Sequence, residues 1–599
     1  MTTAPLAYKH DQPQTTPQEQ EQRQDRQPRK QPSRRIEFST VVFVLLALLL
    51  GVLVILPLFW LLYYALRGDD GTFTLQNLAA LFSDDSLFQA YKRTLGMGLG
   101  VAVLTCAVAT PMAWLVARTD LPLARHVRML VTASFVTPPF LGAIAYEILA
   151  APNSGLVNVI YRALFGLERA DRLVNIYTFT GLVFVLACFT FPYVFTLVAN
   201  ALDKVPSDLE DASSMLGGKP LTTLRKVTIP LVLPAMLAGM LIAVLQSLTM
   251  FGSPAILALP AGFHVVTTKI WSFFQFPPRL GMAAAASIPL LLITVALLRA
   301  QKAILGRKGY TVLGGKSGTP RVTELGRWKA VAIAFVLAVL CLTVFLPYAA
   351  LLKVSLTRTV GDPINFSTLT LHHWHFVLFE LSATRLALTN TLILGLSSAT
   401  VVTALALVVA YLAGRRALGG ASILGMLATA PVAIPGIVLG VGLFLSYANP
   451  TFQLYGTLWI LLIAFVTIEL PAGYQQISSA FSGVHPELEE ASRILGASRM
   501  RALWQITAPL LRTSVVATWC FVFVGTIREL SATILLTTAN TKLVSVIIYD
   551  LNESGDLGAI CVLGIILLVV SFAVVSVANA VPILGGSHAG SRHRAGDAT

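Results

Sequence analysis

The sequence predicts an all-α polytopic membrane protein of about twelve transmembrane helices, arranged as two homologous six-helix halves. Three observations predict it. Of the 599 residues, 55% are hydrophobic and only 12% are charged, and the mean hydropathy is +0.74. A soluble domain is about one-quarter charged, so too few polar groups exist here to clothe a core against water. The apolar residues also fall into long runs, such as 41–66, 331–352 and 560–577, and roughly 18 in a row suffice to cross a bilayer as a helix. Finally, a segment beginning at Val205 recurs, without a gap, at an offset of 279 residues.

The elements follow in order. Residues 1–38 are rich in Gln, Pro and Arg with almost no apolar content, too polar to bury a core, and are expected to form a disordered cytoplasmic tail. The first apolar run is too long for a signal-peptide core and stays as an anchor. Spans are expected near 40–66, 95–117, 128–150, 178–200, 228–256 and 281–299, forming a first half over 39–302. A basic linker, 303–328, leads to spans near 330–352, 387–413, 421–447, 456–480, 508–535 and 558–581, a second half over 329–582, and a tail over 583–599.

Charge orients these spans. Arg29, Lys30, Arg34 and Arg35 precede the first, Arg118, Arg125 and Arg128 follow the second, and Arg415 and Arg416 follow the eighth. The linker carries Arg299, Lys302, Arg307, Lys308, Lys316, Arg321, Arg327 and Lys329, and the C-terminal tail Arg592 and Arg594. Alternate loops are acidic: Asp69, Asp70, Asp84 and Asp85, then Asp550, Glu553 and Asp556. Lysine and arginine stay on the cytoplasmic side, which places both termini and the linker there. The net charge of +14 is thereby spent on orientation. No basic patch interleaved with aromatics exists to read nucleic acid.

Cys106, Cys188, Cys341, Cys520 and Cys561 all lie in apolar segments without metal-like spacing, as small buried residues do. Gly315-Lys316-Ser317 imitates the end of a phosphate-binding loop, but Tyr310 stands where the first glycine is required. The linker is therefore read as flexible chain that binds no ATP.

The repeat is the most informative feature. Residues 205–235 align with 484–514 through Leu209/Leu488, Glu210/Glu489, Ala212/Ala491, Ser213/Ser492, Leu216/Leu495, Gly217/Gly496, Leu224/Leu503, Thr228/Thr507 and Pro230/Pro509, and upstream through Pro192/Pro471. Each copy reads as a short cytoplasmic amphipathic helix. Ser207-x-x-Glu210 has the capping-box pattern, and Pro486 suits a first helical position. Leu209, Ala212 and Leu216 share one face, and Gly217 or Gly496 ends the helix in a left-handed cap. Such a helix either docks in a partner's groove or lies on the lipid surface; the faces offer Leu, Ala and Met rather than the Trp and Phe of an interfacial helix.

Within the membrane, Arg528 and Glu529 lie towards the outer end of the eleventh span, where they either line a pathway or gate, or sit at the interface. Glu469, just before Pro471, either lines the pathway or accepts a hydrogen bond from a neighbouring helix. The first half has Thr190 in its place, and Met250-Phe251-Gly252-Ser253-Pro254 opposite the Arg528 segment. Pro138, Pro139, Pro431 and Pro435 are expected to kink or break their spans. His372, His373 and His375 fall in an outer loop, as metal ligands or as contact surface for a partner.

These residues resemble a family. Asp211-Ala212-Ser213-x3-Gly217 and Glu490-Ala491-Ser492-x3-Gly496, each followed by Pro230 or Pro509, resemble the E-A-A-x3-G loop of binding-protein-dependent ABC importer permeases of type I. Asp replaces Glu in the first copy, and Ser the second Ala in both. The resemblance covers residues 91–302 and 384–582. It implies that Glu210, Asp211, Ala212, Gly217 and Pro230, with Glu489, Glu490, Ala491, Gly496 and Pro509, form two ATPase-coupling loops. It further implies two ABC ATPase subunits that use the ATP, a periplasmic substrate-binding protein, and a multi-pass place in the bacterial inner membrane. This chain itself is then a non-catalytic subunit that binds no cofactor. Residues 528–536, with Arg307-Lys308-Gly309-Tyr310, resemble the ferric-iron permeases, whose relatives carry 2-aminoethylphosphonate, thiamine, polyamines or sulfate. Glu469, Arg528 and Glu529 are the candidate pathway or gate residues. An ion-coupled transporter usually places several ionisable groups deep in its spans, and few are present here.

Overall fold

The computed structural model describes residues 38–586, apart from 69, 169, 308–321, 415–420, 449–451 and 486. Arg415, Arg416, Pro486, the Gly315-Lys316-Ser317 motif and most of both tails lie outside the described residues.

Apolar sequence satisfies its backbone internally, so nearly every described apolar run is helix. The first half comprises α1 (Phe38–Ala65), α2 (Asp85–Arg118), α3 (Ala124–Ala133), α4 (Pro139–Ala150), α5 (Phe179–Asp203), α6 (Ser207–Met215), α7 (Ile229–Thr249), α8 (Val266–Ser272) and α9 (Leu280–Arg307). The second comprises α10 (Lys329–Leu340), α11 (Leu346–Ser355), α12 (Ser382–Gly414), α13 (Ser422–Thr429), α14 (Gly436–Tyr447), α15 (Leu458–Phe481), α16 (Glu487–Ile494), α17 (Arg512–Ile527), α18 (Val544–Ser554) and α19 (Leu557–Gly586). Among the described residues nine helices are long and apolar enough to span a bilayer, and three bent pairs raise the number to twelve.

Two of the breaks follow from proline. Pro138 and Pro435 sit in extended backbone directly before α4 and α14, and the chain turns by 102° and 106° there. The residue before a proline is pushed out of the helical region, and the missing N–H costs nothing at a helix start. The third break, 74° between 503–510 and 512–527, divides the span expected to run unbroken over 508–535. That span ends at Ile527, and a short helix Thr533–Leu536 follows. The corresponding first-half span likewise stops at Thr249, before Gly252–Leu257.

The duplication is visible in individual hydrogen bonds. Thr94 Oγ1 accepts the Val266 amide at 2.8 Å, and Thr391 Oγ1 accepts that of Val544 at 3.0 Å. Thr267 donates to the Met250 carbonyl at 3.0 Å, and Ser545 to that of Glu529 at 2.9 Å. Asn77 donates to the Arg67 carbonyl at 2.9 Å, and His373 Nε2 meets the Thr357 carbonyl at 3.1 Å. His373 is therefore the structural counterpart of an asparagine that pins a loop. His375 Nδ1 meets Glu380 at 2.8 Å. Among the described residues no group of three or more His, Cys, Asp or Glu is disposed to hold a metal.

The halves interlock through their first helices. α1 packs on α13 and α14 of the second half, and α11 packs on α4 of the first. Leu46, Leu50 and Leu53 of α1 accordingly belong to the second half's apolar cluster, while Ala332, Val336 and Val339 of α10 belong to the first half's. A third, larger cluster joins both. Leu45, Leu48, Val52 and Ile55 remain exposed on the other side of α1, as residues facing lipid must.

The linker's last residues are anchored, where free chain was expected. Thr323 pairs with Thr119, and the Asp120 carboxylate accepts the Leu325 amide at 2.9 Å and Lys329 Nζ at 3.0 Å.

Candidate functional site

The two repeated segments fold alike. Gly217 and Gly496 have φ of +80° and +90°, the left-handed conformation expected of them. The Gly218 amide reaches back to the Ser213 carbonyl at 2.9 Å, and Ala497 to Ser492 at 3.2 Å. A side chain at either glycine would meet nothing within 4 Å, so only backbone conformation demands glycine. The proline pair also matches: Pro230 opens α7, and Pro509 lies in the short helix Ala508–Leu510.

The capping box is not formed. Pro206 is the N-cap of α6, and no side chain caps it. Glu210 turns inward instead: it accepts Thr228 Oγ1 at 2.9 Å and lies 3.2 Å from Arg118 Nη2, which also donates to the Val205 carbonyl at 3.0 Å. Arg118 is 1% exposed and Glu210 7%. The second copy repeats the acidic half of this arrangement, Thr507 donating to Glu489 at 2.7 Å. Of the expected coupling residues, Glu210 and Glu489 therefore bind the helix to its own span. The register that relates α2 to α12 puts Arg415 at the place of Arg118, which is the signal by which sequence could have found this arginine. Without that register Arg118 reads as one more orienting cation beside the second span.

The opposite face of each helix is bare. Leu209, Ala212, Met215 and Leu216 are exposed on α6, as are Leu488, Glu490, Ala491, Ile494 and Leu495 on and just past α16, while Asp211 is half-buried. Leu216 and Leu495 are 89% and 88% exposed. Two matching apolar patches thus project from one face of the molecule, each rooted by a buried glutamate.

The pathway candidates do meet. A cavity of about 280 Å³ lies between the halves, where the breaks before α4 and α14 leave the chain non-helical. Glu469, Arg528 and Glu529 all line it. Arg528 directly follows α17 and donates across the halves to the Phe135 carbonyl. It is thus placed where the two halves meet. Glu529 Oε1 accepts the Ala532 amide at 3.0 Å. Glu469 stands mid-way along α15, its carboxylate against the backbone of Gly525, where a Cβ would lie 2.3 Å from Oε1. The first half contributes Thr190, Thr249 and Met250 at the matching wall positions. The charged groups all come from one half.

Comparison with known proteins finds the duplication as well. The family described as "Binding-protein-dependent transport system inner membrane component" matches residues 109–310 and 403–581, once in each half. The ferric transport system permease protein of Actinobacillus pleuropneumoniae is 28% identical over 74% of this chain and 63% of its own length, so the chain spans somewhat less than two thirds of that relative. A putative ferric transport system permease protein of Haemophilus influenzae is 26% identical over 80% of this chain and 75% of its own. A putative 2-aminoethylphosphonate transport system permease protein of Salmonella paratyphi A is 28% identical over 25% of this chain and 56% of its own. With the domain present twice over most of its length, the chain belongs to the binding-protein-dependent transport system inner membrane component family as a fused, duplicated permease.

Proposed function

We propose that this chain forms the pore of an ATP-driven importer, moving a small solute delivered by a periplasmic binding protein across the inner membrane. α6 and α16 each seat in one of two separate ATPase subunits. Nucleotide binding draws those subunits together, moves the two helices, and reshapes the cavity between the halves. The observation that carries this reading is the pair of exposed apolar patches on α6 and α16, each fixed to its span by a buried glutamate–threonine bond. A rooted helix transmits a push to the span behind it; a floating one does not. The basic loops place both helices and both termini in the cytoplasm.

Ferric iron is the cargo this reading favours. The named relatives support it, and so do Glu469 and Glu529 in the cavity wall, because carboxylate oxygens suit hard cations. The 2-aminoethylphosphonate relative and Arg528 favour a second reading, an anionic cargo. Transport by purified protein with the binding protein loaded with either solute separates the two.

The coupling reading is tested by replacing both Gly217 and Gly496 with valine. Left-handed backbone costs an L-residue about 1–2 kcal/mol, so both helix ends would be distorted in a protein that still inserts. In proteoliposomes, ATP hydrolysis is expected to continue without import. Wild-type coupling in the double variant, or a purified complex that contains no ATPase, refutes the proposal.

A further inference from the structure

On the face opposite α6 and α16, the two halves meet along two seams that the duplication makes equivalent, and their chemistry is opposite. In the first seam, Glu147 near the end of α4 accepts Asn552 of α18 at 2.9 Å through Oε2 and Tyr177 at 2.8 Å through Oε1. The register that pairs α4 with α14 puts Phe444 at the place of Glu147, and the register that pairs α8 with α18 puts Phe274 at the place of Asn552. The rings of Phe274 and Phe444 meet edge to face, centroids 5.3 Å apart, and Tyr455 packs on Phe444 at 4.9 Å where Tyr177 meets Glu147. One seam is a carboxylate held by two donors. Its twin is three aromatic rings.

To admit solute from this face, the halves must part here. Parting the aromatic seam bares ring surface to water, with nothing gained in return. Parting the other exchanges the one hydrogen bond that crosses it, from Asn552 to Glu147, for hydrogen bonds to water and hydrates a carboxylate that is half-buried when closed. Resting on the importer reading, we propose that the pore opens asymmetrically: the Glu147–Asn552 seam separates while the Phe274–Phe444 seam stays shut as a hinge, so that cargo enters past Glu147. The route is short. Glu147 lies seven residues along α4 from Phe140 in the cavity wall, about 10 Å at the helical rise.

The test uses the full complex with its ATPase and binding protein, in a background where the five cysteines are replaced by alanine. Nitroxide pairs at Asn153→Cys/Ser554→Cys and at Gln275→Cys/Ala448→Cys report the rims of the two seams without touching either. When ATP is bound and hydrolysis blocked, the first distance is expected to lengthen and the second to stay. As a second readout, a short bis-methanethiosulfonate bridge between Glu147→Cys and Asn552→Cys is expected to abolish import until it is reduced, whereas one between Phe274→Cys and Phe444→Cys leaves import running. Equal lengthening at both rims, or lengthening at the aromatic rim alone, overturns the proposal, as does loss of import with the bridge between Phe274→Cys and Phe444→Cys. If the labelled but uncross-linked complex imports nothing on addition of ATP, the importer reading falls and this inference falls with it. ATP-driven import with symmetric opening defeats only the inference.

Discussion

Replacing Arg118 with methionine isolates the buried pair that roots α6. The guanidinium and the Glu210 carboxylate are 3.2 Å apart; at an effective dielectric of about 20 their attraction is roughly 5 kcal/mol. Part of that is cancelled by desolvation, the more so because Arg118 Nε and Nη1 are buried without a hydrogen-bond partner. Methionine fills similar volume but leaves Glu210 facing only Thr228, and removing one member of a buried pair costs about 3–5 kcal/mol. The protein need not unfold to escape that cost. A polar cavity lined by Glu210, Ser214, Thr223 and Glu324 lies beside the pair, so α6 can swing outward and hydrate its glutamate.

The expected result is therefore local undocking. Each 1.4 kcal/mol is about tenfold in a population, so amide exchange across residues 205–222 is expected to accelerate by about two to three orders of magnitude, while α5 exchanges as before. Import is expected to fall with ATP hydrolysis preserved. Adding Glu210→Gln removes the stranded charge and is expected to recover most of the protection. Unchanged exchange in the arginine variant, or no recovery in the double variant, refutes the claim that the pair holds the helix.

Two other substitutions probe the cavity wall and the end of the linker. Gly525→Ala places a methyl group on the Glu469 carboxylate, 2.3 Å from Oε1, and is expected to push that group out of the cavity wall and reduce cation import; Glu469→Gln/Gly525→Ala should import no better, whereas additive losses in import assays would mean that the two residues do not act together. Asp120 is held below its usual carboxylate range by the Leu325 amide and then by Lys329. A carboxylate with a depressed pKa stabilises above its unfolded value near 3.8 and loses that contribution as pH falls through the folded value. Proteolysis at 322–325 is thus expected to begin only on strong acidification, and Asp120→Asn should make it pH-independent.

Sequence revealed whatever is carried by runs and by local backbone chemistry. The spans show because lipid demands long apolar helices, and two of the three breaks show because Pro138 and Pro435 enforce them locally. The left-handed caps at Gly217 and Gly496 are equally local. What stayed hidden is non-local. Glu210 has a capping box available three residues away, yet Thr228 and Arg118 win it, and neither lies on its helix. The bend after Leu510 is absent from the equivalent first-half span, Leu224–Thr249, and α17 ends at Ile527 inside a segment that reads as one span to residue 535, which is why Arg528 and Glu529 read as outer residues. Glu147 is a lone acid in an apolar span, and its meaning appears only when Asn552 of the other half is brought beside it.

What the duplication kept and what it let change follow one electrostatic rule. Where each copy meets its own equivalent partner, the copies agree: glutamate on threonine, glycine at the helix end, threonine on the α8 or α18 amide. Where the copies face one another across the cavity, they disagree. Like charges that face one another across a cavity repel, by roughly 2 kcal/mol at a separation of about 8 Å and a dielectric near 20. A pore of identical subunits would set Glu469 against a second Glu469, and Arg528 against a second Arg528. Divergence of the two copies removes that constraint: Thr190 and Thr249 stand at the places that match Glu469 and Arg528. The same freedom lets one outer seam be acidic and its twin aromatic. A two-fold scaffold whose halves have diverged can thereby carry the one-sided route proposed above, which identical subunits cannot.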